Sequence, residues 1–104
     1  MSTLGLDLVQ ATGTPVRAAA WGIVRFAGWD DTYGNLVVLD HGNGFSSMYG
    51  HNDAVLVHEG DLVARGEPIA RLGSTGRSSA PHLHFEVRLE DEPLDPAFLI
   101  SMPG

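Results

Sequence analysis

Residues 82–88 read His82-Leu83-His84-Phe85-Glu86-Val87-Arg88, with apolar and polar side chains in unbroken alternation. A period of two belongs to a β-strand, with Leu83, Phe85 and Val87 on one face and His82, His84, Glu86 and Arg88 on the other. Outward from this stretch, turn signals recur at 13–15, 28–31, 33–35, 41–44, 50–53, 59–61, 65–68 and 73–76. Short runs rich in β-branched and aromatic residues lie between them, at 21–27, 35–40, 45–49, 55–57 and 69–72. Strands this short and this evenly spaced predict a compact all-β fold, an antiparallel β-sandwich or open barrel. The stretch His41-Gly42-Asn43-Gly44 predicts a tight hairpin between 35–40 and 45–49, because Gly and Asn accept positive φ. That hairpin would leave His51 just past the end of its second strand. One short helix at most is expected, with Asp95 as its cap, Pro96 at its first position and its end at Ile100.

Composition bounds the function. The chain has 104 residues, 43% of them hydrophobic and 18% charged, which fits one folded domain over 1–104 and excludes a disordered chain. No apolar stretch is long enough to insert in a membrane as a helix. The opening MSTLGLDLVQ carries no basic region followed by an apolar run, so an exported protein would carry its signal on a segment outside this chain. Thirteen acidic residues against six basic ones leave a net charge of −7, and every basic residue is Arg. Such a surface argues against nucleic acid and anionic membranes as partners, since phosphate contacts need Lys and Arg. It favours a protein partner with a basic surface. With no Cys, disulfides and thiolate chemistry are excluded. Five histidines remain as the ligands or proton carriers of any site.

Within 82–88, His82 and His84 stand roughly 6.6 Å apart along one strand face. Neighbouring imidazoles can share a metal centre, one as ligand and one as proton carrier. A lone His-x-His fits a solvated sheet face more often than a site, because so short a pattern recurs by chance. The loop ahead of it, 73–81, is no phosphate-binding Walker loop, for no Gly-Lys-Ser/Thr follows.

Read together, Gly73-x-Thr75-Gly76-x-Ser78-x-x-Pro81-His82-Leu83-His84-Phe85-Glu86 resembles the signature of lysostaphin-type (M23) metallopeptidases, the LytM-domain family. The likeness runs nearly end to end. Gly5-Leu6-Asp7, Gly13-Thr14-Pro15, Trp21-Gly22-Ile23-Val24, Tyr33-Gly34-Asn35, Asp40-His41-Gly42, Met48-Tyr49-Gly50-His51 and Glu59-Gly60-Asp61 follow in the family's order. The resemblance implies a zinc endopeptidase frame acting on bacterial cell-wall cross-links, in the periplasm or outside the cell. It also implies that Asp7 and His84 are metal ligands, with His51 and His82 as catalytic residues flanking the zinc-bound water. Domains of the family have more chain in front, so the N-terminus is expected to be cut from a longer protein.

One position departs from the pattern. Thr3 stands four residues before Asp7, where the family's first histidine belongs. A neutral hydroxyl is a poor zinc ligand, and a catalytic zinc normally has three protein donors plus water. The resemblance therefore implies weak or absent Zn2+ and an impaired or non-catalytic domain that binds peptidoglycan peptides or activates a wall amidase. An active zinc endopeptidase is the alternative. A more distant one rests on 57–70, which resembles the paired turns of biotinyl and lipoyl carriers. With no lysine for a cofactor, that duplicated hybrid-motif frame would leave only phosphate transfer on His51, His82 or His84.

The other candidates read more plainly. His41 is expected in a turn and His58 in solvent. Trp21, Phe26 and Trp29 fit core or groove lining. Tyr49 fits either the cleft beside His51 or a buried packing role. Arg88 pairs with Glu86 or reaches solvent, and Glu90-Asp91-Glu92 forms an exposed turn.

Overall fold

The computed structural model describes residues 6–9, 11–76 and 81–94, and these form strands and turns with no helix among them. The expected helix at 96–100, and Thr3, lie outside the described residues. Nine strands appear in chain order: β1 (Leu6–Val9), β2 (Pro15–Arg17), β3 (Gly22–Asp30), β4 (Gly34–Gly42), β5 (Phe45–Val55), β6 (Leu62–Val63), β7 (Pro68–Leu72), β8 (His82–Leu89) and β9 (Glu92–Leu94). They pair antiparallel in the order β1-β8-β5-β4-β3-β6, while β7 joins β2 to β5 and β9 flanks β8. The all-β expectation holds.

The long strands β3, β4, β5 and β8 form where the sequence alternates or runs apolar. One face of the sheet closes on a core of Val16, Val24, Val37, Leu39, Tyr49, Val63, Ile69 and Leu72, all almost inaccessible to water. A smaller cluster of Leu36, Val38 and Met48, with Phe26 and Tyr33 against it, occupies the opposite side. The expected hairpin forms with its turn narrowed to Asn43 and Gly44, and Gly42, Asn43 and Gly44 are all at positive φ.

Several expectations change. Strand β5 does not stop at Tyr49 but continues through His51 to Val55, so His51 lies within a strand. His51 adopts φ +65 there, and the register shifts between Asn52 and Ala54. The Gly50-His51-Asn52-Asp53 run that reads as a turn is thus a bent strand, paired by β7 at Asn52 and Ala54. Trp29 is 57% exposed and belongs to no core, whereas Trp21, 44% exposed, lines a surface groove with Leu62, Val63, Ala64 and Glu67. Phe26 packs on the smaller cluster, and Tyr49 takes the buried role. His58 is exposed, as expected. The turn after β8 is confined to Glu90 and Asp91, because Glu92 already opens β9.

His41 is not in a turn. It sits buried in β4, Nδ1 2.5 Å from the Trp21 carbonyl and Nε2 2.7 Å from Ser47 Oγ. Ser47 Oγ lies 2.9 Å from the Tyr49 hydroxyl, which accepts the Ala19 amide at 3.0 Å. A carbonyl can only accept, so His41 donates to Trp21 through Nδ1, and the Ser47 and Tyr49 hydroxyls continue the chain from Nε2 to the Ala19 amide. Burial lowers the His41 pKa below its ordinary value, against the opposing pull of the Trp21 carbonyl and Asp40.

A pH dependence follows. Between the lowered folded pKa and about 6.5, the unfolded chain binds a proton at His41 that the folded chain resists, so stability falls on acidification through that window. Above it the contribution is constant. Thermal melts at pH 7.5 and 5.5 should show a smaller acid-induced drop for His41→Asn than for the parent chain. Equal drops would remove His41 as the cause.

Candidate active site

The site forms where β8 lies beside β5. Register places Gly50 opposite His84 and Tyr49 opposite Phe85, so His51 on β5 comes beside the two β8 histidines. The His51 and His82 ring centroids are 4.9 Å apart, and those of His51 and His84 are 6.2 Å apart. On the other side of β8, β1 pairs so that Asp7 lies directly opposite His84. Three of the four expected site residues thus have their rings together, and the backbone of the fourth faces His84 across the ladder.

His51 is held on both sides. Its amide donates to the Tyr33 carbonyl, and its Nδ1 lies 2.7 Å from the Thr75 carbonyl. A carbonyl only accepts, so Nδ1 carries the proton and Nε2 is the basic nitrogen of the neutral ring. Thr75 is fixed in turn: its hydroxyl donates to the Asn52 carbonyl at 2.5 Å and accepts the Asn35 amide at 3.1 Å. The left-handed backbone at His51 is a strained state for a side-chain-bearing residue. These contacts over-determine it.

Glu86 is the main surprise of β8. The polar face of that strand reads as solvated, yet Glu86 is completely buried. Its Oε2 lies 2.6 Å from His84 Nε2 and accepts the Tyr33 hydroxyl at 3.1 Å. Its Oε1 accepts Arg88 Nη2 at 3.0 Å, which settles Arg88 as its partner. Burial by itself would push the Glu86 pKa up; the hydrogen bonds and charges of His84 and Arg88 outweigh it and hold the carboxyl below its ordinary range. An ionised carboxylate only accepts, so His84 Nε2 donates to it.

Tyr33 is a site residue with no chemical signal in the sequence, where it stands within a turn. Its ring stacks on His84 at a centroid distance of 5.5 Å and tilts toward His51 at 6.2 Å. Gly50 permits this, since a Cβ there would come within 3.2 Å of the Tyr33 side chain. Thr75 was legible only as part of a polar loop. Nothing short of the folded chain shows that its carbonyl meets His51.

The donors suit zinc in kind, an imidazole backed by a buried carboxylate and, across the β1–β8 ladder, an aspartate. Among the described residues no three His, Cys, Asp or Glu side chains form a group that could hold a metal ion. Thr3 adds only a neutral hydroxyl from sequence.

Comparison with known proteins agrees with this geometry. The description of Peptidase family M23 matches residues 2–96. The DD-carboxypeptidase/endopeptidase Mpg of Neisseria meningitidis serogroup B is 46% identical over 92 residues, covering 88% of this chain and 21% of that protein. The murein hydrolase activator EnvC of Escherichia coli K12 is 41% identical over 92 residues, covering 88% of this chain and 22% of its own length. The crystal structure of a zinc-containing peptidase from Vibrio cholerae superposes with a TM-score of 0.85 at 36% identity, over 95% of this chain and 30% of that one. The chain thus spans about a fifth of the two curated relatives. A match over nearly the whole sequence, on this fold, sets the phosphocarrier reading aside. The chain belongs to peptidase family M23.

Proposed function

We propose that this chain is a cell-envelope module directed at peptidoglycan, with the frame of a zinc endopeptidase and one metal ligand short. It acts by binding wall peptides or by activating a wall hydrolase such as an amidase. The observation that carries this is Thr3, four residues before Asp7, in a chain whose His51, His82 and His84 otherwise cluster. Two strong protein donors, Asp7 and His84, do not complete a catalytic zinc site. That one relative is named a murein hydrolase activator and another an endopeptidase supports both a non-catalytic and a catalytic use of such a frame. The net charge of −7 favours a partner with a basic surface.

The second reading is a working endopeptidase, and the arrangement of His51 favours it. When bound, zinc would acidify a water and polarise the scissile carbonyl. In this chain Asp7 and His84 would hold it, with Nδ1 of His84 as donor. His51 Nε2 is basic because Thr75 holds the Nδ1 proton, so it could take a proton from a nucleophilic water. His82, beside it, would bind the same substrate region.

Zinc content per chain decides between them. The native chain is expected to hold well under one zinc after purification without chelators, and Thr3→His about one, with wall-peptide hydrolysis gained only by the variant. A native chain carrying about one zinc and cutting wall peptides would overturn the non-catalytic reading.

A further inference from the structure

We infer that Tyr33 is a positioning residue: through Glu86 and through its own ring it sets the orientation of His84, and with it which imidazole nitrogen is offered to a ligand. The inference deepens the site reading and rests on it where His84 is taken as a metal ligand.

Tyr33 is itself rigidly placed. Asp30 Oδ2 accepts the amides of Thr32 and Tyr33, each at 2.9 Å, which ties the β3–β4 turn. Its ring lies nearly parallel to that of His84, at an interplanar angle of 23°. That stack opposes rotation of the imidazole about its χ2 axis. Its hydroxyl is a donor to Glu86, because burial and the Glu86 charge both raise its pKa and keep the proton on.

The carboxylate has three donors and no water access: Arg88 holds Oε1 at 3.0 Å, while Tyr33 and His84 share Oε2. Arg88 alone would leave the carboxylate free to pivot about its Oε1. Tyr33 closes that freedom, so Oε2 stays 2.6 Å from His84 Nε2. The same residue accepts the His51 amide through its carbonyl. Its side chain therefore stacks on the His84 imidazole while its carbonyl holds the backbone of His51.

A plain packing role is the competing account, since Tyr33 also rests on the Leu36, Val38 and Met48 cluster. Tyr33→Phe separates the two, because it keeps the ring and removes only the hydroxyl. The first measurement is the imidazole 15N spectrum of the metal-free native chain and of Tyr33→Phe. The parent should show His84 as the Nε2–H tautomer, and the variant should show its two nitrogen shifts moving together as the Nδ1–H form gains population. The second is zinc affinity by chelator competition in Thr3→His, with and without Tyr33→Phe. Removing a partner behind a metal ligand should weaken zinc roughly tenfold.

Unchanged His84 shifts together with zinc affinity equal within about twofold, well below a second-shell effect, would overturn the role of Tyr33. If Thr3→His takes up no zinc at all, the ligand reading of His84 fails. The metal-free spectrum then still decides whether Tyr33 positions the ring.

Discussion

Gly34→Ala is expected to lower stability by about 3 kcal/mol and to loosen His51, although Gly34 contacts no substrate. Gly34 has φ +66, and an added Cβ would come within 2.6 Å of the Gly76 amide and within 2.5 Å of the Thr75 carbonyl carbon. Left-handed backbone costs an alanine roughly 1–2 kcal/mol. Forcing a methyl group into a filled site adds about 1–3 kcal/mol more. The nearest atom is the Thr75 hydroxyl oxygen, itself held by the Asn35 amide and the Asn52 carbonyl, and the next two belong to backbone, which cannot turn aside as a flexible side chain would. Relief must come from a shift of the 75–76 turn, and that turn carries the carbonyl that holds His51 Nδ1 at 2.7 Å. For a chain of this size the melting temperature should fall by roughly 15 °C. The His51 imidazole resonances should move as well. Melting at the parent temperature would show that the β3–β4 turn and the 75–76 turn are not packed as described.

Glu86→Ala should cost a similar amount for a different reason. Removing one partner of a buried ion pair typically destabilises by about 3–5 kcal/mol, since the other charge is left without compensation. The low end, about 3 kcal/mol, applies here because the Arg88 side chain keeps 27% of its surface exposed and can recruit water. His84 loses the acceptor at its Nε2, and Tyr33 loses the acceptor of its hydroxyl. Glu86→Gln keeps the shape and one acceptor oxygen, so it should recover part of the stability while leaving His84 poorly oriented. Denaturant titration of both variants gives the order: parent most stable, Gln between, Ala least. An alanine variant as stable as the parent would mean that the buried carboxylate contributes nothing net to the fold.

These two changes act through contacts that differ in how visible they are in the sequence. The alternation at 82–88 predicts strand β8 with its observed limits of 82 and 89, because a half-buried strand must sort its side chains by face. The hairpin at 42–44 is equally legible, since few residues other than Gly and Asn occupy positive φ. The short strands β1, β2, β6 and β9 leave no such trace. Two to four residues hold no period, and what makes them strands is a neighbour's backbone.

The site divides in the same way. His51, His82, His84 and Asp7 are singled out as candidates by local motifs and their order along the chain. Glu86 could have been suspected as a carboxylate two residues from His84, but alternation alone assigns it to a wet face. It is dry because Tyr33, 53 residues earlier, closes over it. His41 was misplaced for a related reason: the residues beside it spell a turn, while its partners Trp21 and Ser47 come from other positions in the sheet.

The sequence by itself determined the strand-rich architecture, the family frame, the set of imidazoles and the place of Thr3 four residues before Asp7. Those follow from residue chemistry and near-neighbour spacing, which are local. Only the tertiary structure decided that β5 runs on through His51, that Glu86 is buried between His84 and Arg88, and that Tyr33 and Thr75 grip the two imidazoles. Burial and hydrogen-bond partners depend on which strands pair and in what register, and no single stretch of chain contains that information.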